Sequence, residues 1–216
     1  MSISTKFQNF SSALRIPAGV VADISYRYGR ITKQLNKDFW GTESETAHSL
    51  YVGSFGRDTD IYTSDIDVLM QLPWAVQEQY DKHYGNGQSA LLQAVRDSLK
   101  KTYPTTHVKG DGQVVQITFN DGVSFEILPG FLFSKSGDYY YPDTNGGGSW
   151  KTTNPKPEIE AIRIMNNDCN KNLKNLCRMA RAWKEKCSVP MGGLLIDTLA
   201  YQFIRNWVHR GESFLY

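Results

Sequence analysis

The stretch Ser64-Asp65-Ile66-Asp67-Val68-Leu69-Met70 sets two carboxylates one residue apart within an apolar run. Such a run reads as a strand, and strand side chains alternate, so Asp65 and Asp67 share one face while Ile66 and Val68 take the other. Two like charges held this close repel one another unless a cation lies between them. A divalent metal answers that need, and Mg²⁺ is commonly held by one or two carboxylates together with the phosphate oxygens of a substrate. The pair therefore points to a strand that serves phosphate chemistry.

A second feature precedes it. Gly53-Ser54-Phe55-Gly56-Arg57 follows a strand expected over 49–52. Gly53 lets backbone approach a ligand with no Cβ in the way, and Ser54 opens a short helical turn with free amides, a ready phosphate site. Taken singly, Ser54 also reads as an N-cap and the aspartates as solvated residues at a strand end. The two features at this spacing favour phosphate.

These residues resemble the polymerase-β-like nucleotidyltransferases, and within them the bacterial cyclic-oligonucleotide synthases related to cyclic GMP-AMP synthase and oligoadenylate synthase, the CD-NTases. That family carries Gly-Ser on a short helix, two acids separated by one residue on the next strand, and a third acid on a later strand. Here the third falls at Glu126, in Val123-Ser124-Phe125-Glu126-Ile127-Leu128-Pro129-Gly130-Phe131, where relatives more often carry Asp. The likeness continues through Trp150-Lys151-Thr152-Thr153-Asn154-Pro155 and Ala182-Trp183-Lys184 and covers most of the chain, the first fifty residues matching only as generic helix.

The resemblance implies an α+β fold, a polymerase-β-like core of mixed sheet and flanking helices over 1–155 packed against a helical lobe over 156–216. It implies a metal-dependent nucleotidyltransferase that joins nucleoside triphosphates into a cyclic or linear oligonucleotide second messenger for anti-phage signalling, releasing pyrophosphate. Two Mg²⁺ ions, replaceable by Mn²⁺, would sit on Asp65, Asp67 and Glu126, and Gly53, Ser54, Arg57 and Lys184 would contact nucleotide. Lys184 reads equally well as a lysine laid along a helix rim beside Trp183, and Arg57 as a locally paired residue.

Composition is that of an ordinary globular chain: 216 residues, 40% hydrophobic and 21% charged. No membrane-spanning run or secretory signal is visible, and Cys169, Cys177 and Cys187 are an odd set without zinc-site spacing, which suits reduced thiols in the cytoplasm. Residues 1–150 carry 13 basic against 16 acidic side chains, whereas 151–216 carry 11 against 6. A polyphosphate held between an acidic, metal-bearing lobe and a basic helical lobe suits that division, as does a solvated helix surface. A macromolecular acceptor such as RNA calls for a wide basic track, and no Lys/Arg run is present. The alternatives are a template-free transferase acting on RNA or protein, and a silent nucleotide-binding relative.

Helical spacing of Ile3, Phe7, Phe10 and Leu14, then of Val20, Ile24, Tyr28, Ile31 and Leu35, predicts one or two opening helices, and Leu91, Ala94, Val95 and Leu99 predict another. Asn120-Asp121-Gly122 between two apolar runs predicts a hairpin that puts Glu126 on a central strand. The segment 134–155 lacks periodicity; it reads as a flap offering Tyr139, Tyr140 and Tyr141 to stack on bases, or as packed structure with an extra hairpin. From Pro157 the chain is helical, with stripes including Trp183, Leu194, Leu195, Leu199 and Phe203 expected in the core. The closing Phe214-Leu215-Tyr216 calls for a partner, which predicts a helical lobe that is incomplete or completed by another subunit.

Overall fold

The computed structural model describes residues 3–62 and 65–212; Ser64 and the closing Phe214-Leu215-Tyr216 lie outside them. Helices α1 (Ile3–Ala13) and α2 (Ala18–Leu35) precede strand β1 (Ser49–Tyr51), the short helix α3 (Gly53–Arg57) and β2 (Ile66–Gln71). Helices α4 (Trp74–Asp81) and α5 (Gly87–Thr102) lead to β3 (His107–Asp111), β4 (Val114–Thr118), β5 (Ser124–Leu132), β6 (Tyr139–Asp143) and β7 (Ser149–Thr153). Three helices close the chain: α6 (Lys156–Asp168), α7 (Asn172–Cys187) and α8 (Gly193–Asn206).

The chain forms two compact units. One comprises Gly19–Val52 and Asp65–Asn154, the other Met1–Ala18, Gly53–Ser64 and Pro155–Tyr216. The amino-terminal helix and the Gly53-Ser54 segment group with the last three helices and not with the sheet.

The first unit is built on a seven-stranded sheet of order β1-β2-β5-β4-β3, with β6 paired to the far half of β5 and β7 to β6. Only the β2–β5 pairing is parallel among these strands. The predicted hairpin joins β4 to β5, with Phe119 N donating to Val123 O at 2.9 Å. Arg27 of α2 clamps that turn by a two-pronged contact to Asp121 at 3.1 and 2.6 Å and lays its guanidinium 4.2 Å from the Phe119 ring centre. One sheet face buries Ile66, Val68, Met70, Val108, Val115, Ile117, Phe125 and Ile127. Helix α5 lies on that face, so close that a Cβ on Gly110 would stand 3.3 Å from Leu92 Cβ. On the opposite face His107, Lys109 and Thr118 are exposed.

Segment 134–155 is the extra hairpin and not a flap. β6 and β7 pair from Tyr139↔Thr153 to Asp143↔Ser149. Tyr139 is buried with Val52 and Leu69, and Tyr140 stacks 4.3 Å from Phe133. Aromatic surface that looked available for bases is thus largely used in packing.

In the second unit α6, α7 and α8 bury Ile162, Cys169, Leu173, Cys177, Ala200 and Ile204. Leu194, Leu195, Leu199 and Phe203, expected in this core, are 49–58% exposed, as is Trp183 at 53%. Helix α8 is apolar around more of its circumference than α6 and α7 cover. Its open side joins Leu176, Ala180, Trp183 and Met191 in an apolar groove of about 330 Å³. Phe7 and Phe10 of α1 are also about half exposed. Among the described residues no helix is long and apolar enough to cross a membrane.

Candidate active site

Asp67 and Glu126 are direct partners in the β2–β5 register. Parallel partners share a face, and Asp65, just ahead of β2, lies near enough for its charge to act on Glu126. The Asp67 carbonyl accepts from Val52 N at 2.9 Å, which fixes the start of β2 against the end of β1. Asp65 is exposed, while Asp67 and Glu126 are half-buried. Burial first, and the neighbouring charge of Asp65 next, push the Glu126 carboxyl above the usual carboxylate range, and Gln116 on β4 opposes the rise by donating to Oε1 at 3.4 Å. Glu126 is thus a carboxylate crowded by negative charge, the condition a bound cation relieves.

Among the described residues no three His, Cys, Asp or Glu side chains converge into a ready-made metal cage. Mg²⁺ does not require one, since it keeps waters and takes substrate phosphate oxygens alongside one or two carboxylates. Hard carboxylate oxygens on one open sheet face fit that cation.

Gly53, Ser54, Arg57 and Lys184 belong to the second unit. Gly53 has φ of +58°, a conformation that accounts for glycine here, and Ser54 is buried, its carbonyl accepting from Thr59 N at 2.9 Å. Arg57 is also buried. Its Nη1 donates to Glu158 at 2.5 Å and its Nε to Asp197 at 2.9 Å, so this arginine is paired, with partners on α6 and α8 and not with neighbours in its own short helix. Asp197 accepts in addition from Thr59 Oγ1 and Arg181 Nη2, each at 2.7 Å. Arg178, 2% exposed, donates to the Asp60 carbonyl at 3.1 Å, to the Asp58 carbonyl at 2.7 Å and to the Asp58 carboxylate. It thereby braces the turn after α3, where Asp58 stands at φ +54°. Part of the basic surplus read as a polyphosphate clamp therefore serves internal ion pairs. Lys184 is partly exposed and pairs at 3.0 Å with Glu185, its neighbour in the chain.

The model of the Second Messenger Oligonucleotide or Dinucleotide Synthetase domain, SMODS, matches residues 1–166. The chain belongs to this family. Beyond the SMODS match, a probable cyclic nucleotide synthase of Bacillus cereus (strain VD146) is 26% identical over 102 residues, 46% of this chain and 30% of that protein. Among solved structures, the Bradyrhizobium diazoefficiens CD-NTase CdnG in complex with GTP superposes with a TM-score of 0.72 at 11% identity, covering 100% of this chain and 74% of that one. CdnC of E. coli MS115-1, in complex with HORMA-deltaN, gives 0.69 at 18% identity, covering 97% and 64%. At these identities the likeness shows a shared fold, the polymerase-β-like one. The SMODS chain described here spans less than two thirds of the length of the Bacillus relative and of CdnC.

Sequence reasoning missed Gln116, Arg178 and Asp197. Gln116 was visible only as one polar residue in an alternating strand, and its link to Glu126 depends on a register that the hairpin turn fixes only in outline. Asp197 sits amid apolar helix residues, which was the available sign: an acid in a buried stripe needs partners.

Proposed function

We propose that this SMODS chain is a metal-dependent nucleotidyltransferase that joins nucleoside triphosphates into a cyclic or linear oligonucleotide second messenger of anti-phage signalling. The observation that carries the reading is the register of Asp67 with Glu126, with Asp65 just ahead of β2 and near enough for its charge to act on Glu126. Asp65, Asp67 and Glu126 would hold Mg²⁺, which when bound supplies neutralisation of triphosphate charge and acidifies the attacking hydroxyl. The chain's own contribution is orientation. The acids fix the reacting end of the site on a rigid sheet, Gly53 and Ser54 contact the donor's terminal phosphates, and Lys184 adds a cation to the triphosphate. Arg57 acts by holding α3, through Glu158 and Asp197.

The test is incubation of the purified protein with each labelled triphosphate and Mg²⁺ or Mn²⁺, with products resolved by mass. Oligonucleotide with pyrophosphate supports the reading. Nucleotide added to RNA or protein supports a transferase with a macromolecular acceptor, and binding without product supports a silent relative.

A further inference from the structure

The turn that follows α3 is gripped by a single guanidinium. Arg178 of α7 donates from Nη2 to the Asp58 carbonyl at 2.7 Å and from Nε to the Asp60 carbonyl at 3.1 Å. These two nitrogens form one edge of a planar fork, so a rigid edge spans two carbonyls with Thr59 between them. The Asp58 carbonyl and the Thr59 amide belong to one planar peptide unit. That amide donates to the Ser54 carbonyl at 2.9 Å. Arg178 is therefore linked to Ser54 by two hydrogen bonds through one rigid plane, and each bond in such a chain polarises the next. A shift of the guanidinium turns the peptide, and the peptide turns Ser54.

The bend itself depends on the same arginine. Asp58 stands at φ +54°, a conformation that costs energy for any residue with a side chain. Its carboxylate accepts from Arg178 Nη2 and, at 2.9 Å, from Lys174 Nζ, so α7 holds the bend from two positions. Thr59 is also fixed from α8, its Oγ1 donating to Asp197 at 2.7 Å; its side chain and its backbone thus have separate anchors. The remaining Nη1 of Arg178 is buried with no hydrogen-bond partner among the described residues. An unmatched buried donor is a local cost of the kind that folds carry where they serve a site. Further along, the same helix carries Lys184.

We propose that Arg178 is a positioning residue for the donor triphosphate, acting on Ser54 through the Asp58–Thr59 peptide unit, an inference that rests on the nucleotidyl-transfer reading above. Arg178 touches no substrate, since at 2% exposure it is closed to phosphate. Its part is to keep Ser54 in one orientation before the triphosphate arrives, so that binding does not have to order the turn. Lys184 meets the triphosphate independently of this chain of bonds.

A double-mutant cycle separates this role from a general contribution to folding. The probe is an α,β-methylene nucleoside triphosphate with Mg²⁺, followed by calorimetry beside the corresponding monophosphate, with all four bases tried. Arg178→Lys keeps the charge but cannot span both carbonyls. It should weaken the triphosphate on the order of tenfold and leave the monophosphate unchanged. In a Ser54→Ala background the same change should cost less than about twofold, because the residue it orients no longer holds phosphate. In a Lys184→Ala background it should again cost about tenfold. If circular dichroism shows that Arg178→Lys does not fold, Asp58→Gly replaces it. Glycine takes the bend freely and only the carboxylate that orients Nη2 is lost, so about threefold weaker binding with the same dependence on Ser54 is expected. Equal losses with and without Ser54, equal losses for triphosphate and monophosphate, no loss, or a Ser54→Ala protein that binds triphosphate as the wild type does, overturn the positioning role and leave the enzyme reading standing. A wild-type protein that binds no triphosphate overturns both.

Discussion

Replacing Asp197 with alanine removes a carboxylate shared by two buried guanidinium groups. Its side chain is 1% exposed and accepts from Arg57 Nε at 2.9 Å and Arg181 Nη2 at 2.7 Å, whose own side chains are 4% and 11% exposed. Removing one partner of a buried pair costs about 3–5 kcal/mol, because the remaining charge stays desolvated and uncompensated. Arg57 keeps Glu158 at 2.5 Å and Arg181 keeps the Gly193 carbonyl at 3.0 Å, which places the effect at the low end, about 3 kcal/mol. For a chain of this size each kcal/mol moves Tm by about 2–4 °C, so Asp197→Ala should lower Tm by about 6–12 °C. Thermal denaturation followed by circular dichroism measures it. A triple change, Asp197→Leu with Arg57→Met and Arg181→Leu, removes all three charges together and should recover most of the loss. A fall of less than about 2 °C for the single variant would refute the argument that this carboxylate neutralises two buried cations.

Asp65→Asn and Asp67→Asn should each abolish product formation while leaving the metal-free protein as stable as before or slightly more so; substantial residual turnover in either would remove that acid from the metal site. Glu126→Gln should be equally inactive, with Glu126→Asp keeping some activity. Because the Glu126 carboxyl is raised in the folded protein, its contribution to stability is present below its unfolded value near 4.5 and is lost as pH rises through the folded one. Metal-free Glu126→Gln should therefore gain in Tm over wild type as pH climbs from about 4.5, and a constant difference would deny the raised carboxyl. Ser54→Ala and Lys184→Ala should weaken triphosphate binding by about 1–3 kcal/mol with little effect on the monophosphate, as calorimetry with both ligands would show. In the native protein a thiol reagent should modify exposed Cys187 and spare Cys169 and Cys177, the latter also held above the usual thiol range by burial and by Asp197; rapid native labelling of all three would contradict the helical core.

The apolar run around Asp67 sufficed to place it on a strand, and the Asn120-Asp121-Gly122 turn sufficed to place Glu126 on an interior strand. Both are local signals. β3 went unseen because an edge strand reading His-Val-Lys-Gly-Asp carries the charges that keep edges from pairing further, and these mask its strand character. The β6–β7 hairpin was one of two readings of 134–155, and the sequence left the choice open because Tyr139 owes its burial to Val52 and Leu69, residues distant in the chain. The α8 stripe misled for a simple reason. Periodicity shows that a helix has an apolar side, not how much of its circumference neighbours cover. Arg57 shows the same limit for charge, since its partners Glu158 and Asp197 lie far along the chain.

Asp67 and Glu126 stand side by side although about sixty residues separate them in the chain. The β4–β5 hairpin closes a short loop and can form within microseconds, whereas β2–β5 pairing must close a long one and is slow by comparison. The acids therefore meet late in folding, onto a hairpin already in place. A slip of one residue in that late step would turn Glu126 toward α5 and bring Phe125 or Ile127 out beside Asp67. Burying a carboxylate and exposing a phenyl ring or an isoleucine side chain both oppose the slip. Phe125 and Ile127, which touch no ligand in this scheme, are thus a proofreading device for the register, and polar substitutions at either should slow the recovery of activity on refolding more than they alter the activity finally reached.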